Sequence, residues 1–164
     1  VSAFDDAAGF AAALPRDGGL MGLDLGDKTV GLAASDMRRG VASALHTLRR
    51  VKFTIDAAEI LKIASARGAV GFVLGLPRNM DGSEGPRAQG ARAFARNLGG
   101  LTPLPILLWD ERLSTVAAER ALLAADMSRK RRSEVIDAVA ASYILQGALD
   151  RLTYLARMAA GDET

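Results

Sequence analysis

At 164 residues the chain is long enough to bury one core and too short for two, and 49% hydrophobic with 24% charged residues excludes a disordered protein. The absence of cysteine excludes disulfides, thiolate metal sites and thiol nucleophiles, and a single histidine, His46, excludes a multi-histidine metal centre. A formal net charge of +2 makes the overall field weak, and any metal must be held by oxygen, which favours Mg²⁺ or Mn²⁺.

Residues 1–19 begin with an alanine-rich segment, Phe4 to Leu14, and end at Pro15-Arg16-Asp17-Gly18-Gly19. They read as a short helix or mobile extension followed by a linker. A first strand, Leu20 to Leu25, turns through Gly26-Asp27-Lys28 into a second, Thr29 to Ser35, and a polar turn leads to a third, Val41 to Leu48. Short connections make these an antiparallel meander. The period then changes: Ala57, Ile60, Leu61 and Ala64 share a helical face, with Gly68 where a C-terminal cap belongs. Ala69 to Leu74 is a buried strand ending in Gly75-Leu76-Pro77, a polar loop runs from Arg78 to Gly85, and a helix starts at Pro86. Leu104 to Trp109 is the fifth strand, stopping at Asp110-Glu111-Arg112, after which Ser114 or Thr115 can cap a helix. A basic loop, Arg129-Lys130-Arg131-Arg132, precedes a last helix from Arg132 to about Leu155.

The order βββαβαβαα implies an α/β domain over residues 20–155, built on one mixed five-stranded sheet of three antiparallel and then parallel strands, with helices on both faces. Residues 156–164 form a short tail. No apolar run is long enough to span a membrane and no signal pattern opens the chain, so the expectation is a cytoplasmic protein without a membrane partner.

In such a sheet, ligands gather at the carboxyl ends of the strands. Asp24 ends an apolar strand there, where a carboxylate is costly unless it meets a cation or a donor. Asp110 and Glu111 end the fifth strand and, if the chain stays extended, point to opposite sides, so one of the two would reach a shared site. Asp137 lies on the flank of the last helix's apolar stripe, beside small Ala138, Ala140 and Ala141 that allow close approach to the sheet. Such carboxylates repel one another without cations, and two oxygen-bound Mg²⁺ ions are a standard clamp for phosphodiester hydrolysis. Each acid also has a structural explanation. Asp24 can cap its turn, Asp110 and Glu111 can pair with Arg112 or cap a helix, and Asp137 can be a first-turn helix acid. The loop from Asn79 to Gly85 can be a polar turn or, through its backbone amides, a phosphate cradle. His46 reads as structural and Trp109 as core.

Taken together, Asp24-Leu25-Gly26 with Val30-Gly31-Leu32-Ala33, Gly75-Leu76-Pro77-Arg78-Asn79-Met80-Asp81-Gly82-Ser83-Glu84, Asp110-Glu111-Arg112-Leu113-Ser114-Thr115 and Asp137-Ala138-Val139-Ala140-Ala141-Ser142-Tyr143-Ile144-Leu145-Gln146 resemble the YqgF family across about residues 20–150. That family comprises RNase H-like proteins described as Holliday-junction resolvases and as nucleases maturing the small-subunit ribosomal RNA precursor. The resemblance implies an RNase H-like core and a divalent-metal site formed by Asp24, an acid of the Asp110-Glu111 pair and Asp137. It lines that site with the loop carrying Asn79, Asp81 and Ser83, and with Arg112. Lys28 stands where the family often has arginine, keeping the charge without a bidentate grip. Ser114, within the third motif, and the basic loop Arg129, Lys130, Arg131, Arg132 complete the expected substrate-binding set. Related resolvases carry an acid at the end of the fourth strand, whereas this chain has Gly75-Leu76-Pro77 there.

The leading expectation is therefore a Mg²⁺- or Mn²⁺-dependent endonuclease on structured nucleic acid, chiefly ribosomal RNA precursor, acting as a monomer or homodimer. The alternatives are a resolvase on branched DNA and a non-catalytic nucleic-acid-binding module. An actin-like ATPase, suggested by the glycine-turn hairpin, would need a second domain for which the chain is too short.

Overall fold

The computed structural model describes residues 3–126 and 129–161, with the side chains of all of these except residues 126 and 129–134. In chain order the elements are β1 (Ala3–Phe4), α1 (Ala7–Ala13), β2 (Leu20–Leu25), β3 (Thr29–Ser35), β4 (Ala42–Arg49), α2 (Phe53–Ala66), β5 (Gly71–Leu76), α3 (Pro86–Gly99), β6 (Ile106–Asp110), a 3₁₀ turn (Glu111–Leu113), α4 (Val116–Asp126) and α5 (Arg129–Ala159). The sheet order is β1-β6-β5-β2-β3-β4. The meander β2-β3-β4 is antiparallel, and β2, β5, β6 and β1 are mutually parallel.

The sheet thus has six strands where the sequence pattern gives five. The sixth is β1, from the leading segment, which pairs Ala3 with Ile106 and Phe4 with Leu107 along the outer edge of β6. A two-residue strand has no periodicity to read, and it forms because α1 anchors it. Asp6 caps α1 by accepting from the Gly9 amide at 2.7 Å, Phe10 is fully buried, and Phe4 meets Phe10 edge to face at 6.3 Å. Pairing of β1 also covers an edge that would otherwise present unpaired backbone groups.

Alternation along the strands sorts the side chains onto two faces, and that sorting positions the site. Met21, Leu23, Phe72, Leu74, Leu76, Ile106 and Leu108 face α2 and α3, where Ile60, Phe94 and Leu98 complete one core. Leu20, Val73, Leu107 and Trp109 face α5, where Ile144, Leu145 and Leu149 complete the other, with Phe10 and Val116 at its margin. By the same period of two, Asp24, Gly75 and Glu111 belong to the α5 side and Asp110 to the α3 side.

The α5 face is built for close approach. A Cβ on Gly31 would lie 1.9 Å from the Asp137 carbonyl oxygen, and one on Gly22 would lie 2.8 Å from the Ala141 carbonyl oxygen. Two glycines on the sheet and the fully buried Ala140 and Ala141 on the helix let the α5 backbone rest almost directly on β2 and β3. This is the packing that the alanines beside Asp137 foreshadow, and it delivers Asp137 to the end of the hairpin. No helix among the described residues is long and apolar enough to cross a membrane.

Candidate active site

Asp24 is the fifth residue of β2 and is only 4% exposed. Leu23 pairs with Leu74 on β5, which sets Asp24 beside Gly75, and Gly75 pairs in turn with Trp109 on β6. One step beyond Trp109 on this face, Glu111 is also buried. Between the two acids lies Gly75, where an added Cβ would sit 3.3 Å from the Glu111 carboxyl carbon. The missing side chain lets Glu111 lie across β5 toward Asp24.

The two acids converge on one cation. Arg120, on α4, donates from Nη2 to Asp24 Oδ1 at 2.6 Å and from Nη1 to Glu111 Oε1 at 2.7 Å. Val116 is fully buried one helical turn earlier, which turns this face of α4 inward and carries the guanidinium to the strand ends. Asp137 stands on the other side of Asp24. Its Oδ2 accepts a short hydrogen bond from the Thr29 hydroxyl and would lie 3.9 Å from a Cβ on Gly26.

Burial pushes the Asp24 carboxyl up to about 6, with Glu111 and Asp137 adding to the rise while Arg120 and Arg87 oppose it. For Arg120, burial alone would lower its pKa, but the charges of Asp24 and Glu111 outweigh it and raise it. Asp24 therefore sits in a strained, acid-rich place even with a guanidinium against it.

Asp110 belongs to a different network. Its carboxylate caps the 3₁₀ turn by accepting from the Arg112 amide at 3.0 Å, takes the Arg112 Nη2 at 2.7 Å, and faces Arg78 at 3.7 Å. The hydrogen bonds from Arg112 hold its carboxyl below the usual range. Arg112 also reaches the Met80 carbonyl at 3.5 Å, so the Asp110-Arg112 pair braces the loop after β5.

That loop is closed on itself. Asn79 donates from its amide to the Ser83 carbonyl and from Nδ2 to Ser83 Oγ, both at 2.9 Å, and Ser83 donates from its amide and hydroxyl to Asp81 Oδ1 at 2.9 and 2.6 Å. Gly82 adopts φ +88°, which glycine tolerates without strain, and Met80 stands 91% exposed at the tip. Glu84 is held bidentately by Arg92 at 2.5 and 2.8 Å, and Arg92 also meets Asp5 at 2.9 Å, tying the loop to the leading segment.

Of the other expected site residues, Lys28 is exposed at the hairpin tip and Ser114 bridges the 3₁₀ turn to α4 by donating to the Glu111 carbonyl at 3.2 Å. The side chains of Arg129, Lys130, Arg131 and Arg132 lie outside the described residues. His46 is exposed on β4 and Trp109 is buried in the core, as their sequence context suggests. Sequence reasoning missed Arg120, Thr29 and Arg87, whereas Arg50 belongs to the basic group Arg49-Arg50-Val51-Lys52, which reads from the sequence either as a solvated surface or as able to neutralise phosphates. Arg50 donates to the Gly26 carbonyl at 2.8 Å and lines, with Arg87, Leu25 and Pro86, a cleft at the end of β2.

Comparison with known proteins gives the family. Residues 18–151 match RuvX, described as Holliday junction resolvase. The chain belongs to this family, which is the YqgF family of the sequence resemblance. Among its relatives, a Paracoccus denitrificans protein is 72% identical over 148 residues, covering 90% of this chain and 94% of that protein. A Rhodobacter capsulatus protein is 68% identical, covering 90% and 93%, and one from Ruegeria pomeroyi is 68% identical, covering 89% and 95%. All three carry the name "Putative pre-16S rRNA nuclease". The fold is similar to that of T. thermophilus RuvC in complex with Holliday junction substrate, with a TM-score of 0.51 at 12% identity over 82% of this chain and 96% of that one. RuvX is thus a nuclease family on an RNase H-like fold, with helices on both faces of a mixed sheet.

Proposed function

We propose that this chain is a divalent-metal-dependent endonuclease that hydrolyses phosphodiesters of structured RNA and matures the 16S ribosomal RNA precursor, which would put its work in the cytoplasm. The observation that carries the reading is the convergence of Asp24 and Glu111 on a single positive charge at the carboxyl ends of β2 and β6, with Asp137 beside them. The names of relatives about 70% identical over nearly their whole length support the RNA substrate.

The donor set suits Mg²⁺ or Mn²⁺. It offers only carboxylate oxygens, and Asp24 is raised to about 6 by burial and by its acidic neighbours, so the site calls for more positive charge than Arg120 brings. Among the described residues no three acids form a preformed cage, since Arg120 stands between Asp24 and Glu111. Asp24, Glu111 and Asp137 would hold the metal, and Asp110 would not. When bound, a divalent cation supplies Lewis-acid charge to the phosphodiester and lowers the pKa of the attacking water.

The rest falls to the protein's own side chains. Thr29 fixes one oxygen of Asp137 and so aims the other. The closed Asn79 to Ser83 loop, braced by Arg112, presents a rigid wall on one side of the strand ends. Arg50 and Arg87, with Lys28 near the hairpin tip, offer positive charge along the cleft at the end of β2, where a backbone phosphate would be neutralised.

The test is cleavage by purified protein with Mg²⁺ or Mn²⁺ of a 16S precursor and, in parallel, of a four-way DNA junction. Metal-dependent cutting of the precursor that Asp24→Asn abolishes supports the reading. Cutting of the junction alone would make the chain a resolvase, and salt-sensitive binding without cutting by the wild type would make it a binding module.

A further inference from the structure

We propose that Arg120 is a built-in occupant of the metal position, so that its guanidinium and a divalent cation exclude each other at Asp24 and Glu111. The inference rests on the reading of these acids as metal ligands. Its basis is geometric. The two terminal nitrogens of the guanidinium each donate to a different acid, Nη2 to Asp24 Oδ1 at 2.6 Å and Nη1 to Glu111 Oε1 at 2.7 Å, and both acids are buried.

A metal of the Mg²⁺ type requires its ligand oxygens at about 2.0–2.1 Å, which places two neighbouring ligands roughly 3 Å from each other. A metal shared by the two oxygens that Arg120 holds would have to stand where the guanidinium now stands, because it too must touch both of them. Asp24 Oδ1 and Glu111 Oε1 therefore cannot be shared by both cations at once. The charges agree with the geometry. Adding a dication without removing Arg120 would bring like charges together between two buried acids.

Arg120 is thus a positioning residue. It holds the two carboxylates at the strand ends, with Glu111 laid over Gly75, and it gives them up on loading. Its helix permits this exchange. α4 packs chiefly on α5 and on the 3₁₀ turn and adds no strand to the sheet, so the side chain can withdraw while β2 and β6 stay in place.

The test is calorimetric titration of the full chain with Mn²⁺ alone. Arg120→Ala is expected to bind at least about tenfold more tightly than wild type, because the competitor is gone, with Arg120→Lys between the two. Asp24→Asn is expected to bind at least about tenfold more weakly. Arg120→Ala binding no more tightly than wild type, with Asp24→Asn weakened, overturns the exchange and leaves the ligand assignment standing. Asp24→Asn binding like wild type overturns the assignment itself.

A second measurement needs no disruptive variant. The side-chain NH signals of Arg120 in the wild type, assigned by their loss in Arg120→Lys, should be protected from water exchange and lose that protection as Mg²⁺ saturates the protein. Protection that persists at saturating Mg²⁺ overturns the proposal.

Discussion

Two networks of arginines and carboxylates meet at the strand ends, built from the same chemical groups and differing in where the sheet puts them. The inner one joins Asp24, Glu111 and Arg120 on the α5 side, with both acids buried. The outer one joins Asp110, Glu84, Arg78, Arg92 and Arg112 around the loop after β5, where every member keeps some solvent. In the outer network the arginines win, and the Asp110 and Glu84 carboxyls fall below their usual range. In the inner one burial wins, and Asp24 rises to about 6 despite a 2.6 Å guanidinium contact. A charge is costly to bury and only partly repaid by one partner, so the inner network stores a demand for positive charge that the outer one lacks.

The strongest way to break this contrast is to neutralise the acids one at a time. Asp24→Asn, Glu111→Gln and Asp137→Asn should each lower metal-dependent cleavage by about 10²–10⁴-fold, the range typical of a lost catalytic group. Asp110→Asn, adjacent to Glu111 in sequence, should cost less than about tenfold, since exposed ion pairs contribute about 1 kcal/mol or less. Single-turnover rates on a 16S precursor decide it. Equal losses at 110 and 111 would dissolve the distinction between the networks.

Next in size is the backbone contact that brings Asp137 to the inner network. Gly31→Ala should destabilise the fold by about 3 kcal/mol or more, because its Cβ would meet the Asp137 carbonyl at 1.9 Å and the α5 backbone must shift. Gly90→Ala on α3, with open space around its Cβ, should instead stabilise by about 0.5–1 kcal/mol through helix propensity. Urea unfolding of the two variants measures both. A mild Gly31→Ala would mean that α5 is not held against β3 as tightly as the inner network requires.

How much of this was legible beforehand follows from the physics of each residue. Asp24 could be read because it interrupts an apolar strand before a glycine. The choice between Asp110 and Glu111 could be narrowed to one but not made, since it depends on the register that pairs Gly75 with Trp109 and thereby fixes which face each acid shares with Asp24. Arg120 could not be placed. Its helix is rich in polar and small residues, and its only cue is a spacing of four from Val116, a signal that means something only once Val116 is known to be buried. The strand at Ala3–Phe4 was hidden for another reason. Two residues carry no period, and their pairing depends on Phe10 and on the free edge of β6.

Stability against pH sharpens the contrast further. The folded-state value of Asp24, about 6, exceeds its ordinary 3.8, so the native state binds this proton more tightly than the unfolded chain does. The resulting stabilisation is complete below about 3.8 and is lost as pH rises through about 6. A shift of this size corresponds to about 3 kcal/mol. Measured without divalent metal, wild type should therefore lose stability relative to Asp24→Asn between about pH 4 and 6, and the difference should level off above that. A flat difference would mean that Asp24 is not in the crowded setting described.

The smallest expected effect lies in the outer network, at the bidentate pair of Arg92 and Glu84. A double-mutant cycle with Arg92→Ala and Glu84→Ala should give a coupling of about 1 kcal/mol or less that weakens further in molar salt, because both side chains keep solvent contact. The same cycle for Arg120 and Glu111 should give a larger coupling that salt changes little, since the acid is buried and breaking such a pair leaves an uncompensated charge. Arg92 carries one further consequence. It also meets Asp5, so Arg92→Ala should loosen the leading segment from the loop as well as Glu84 from its partner, and hydrogen exchange at β1 should rise along with that in the loop. Faster exchange in the loop alone would show that β1 is held by Phe10 and its pairing with β6, with the Asp5 contact contributing nothing measurable.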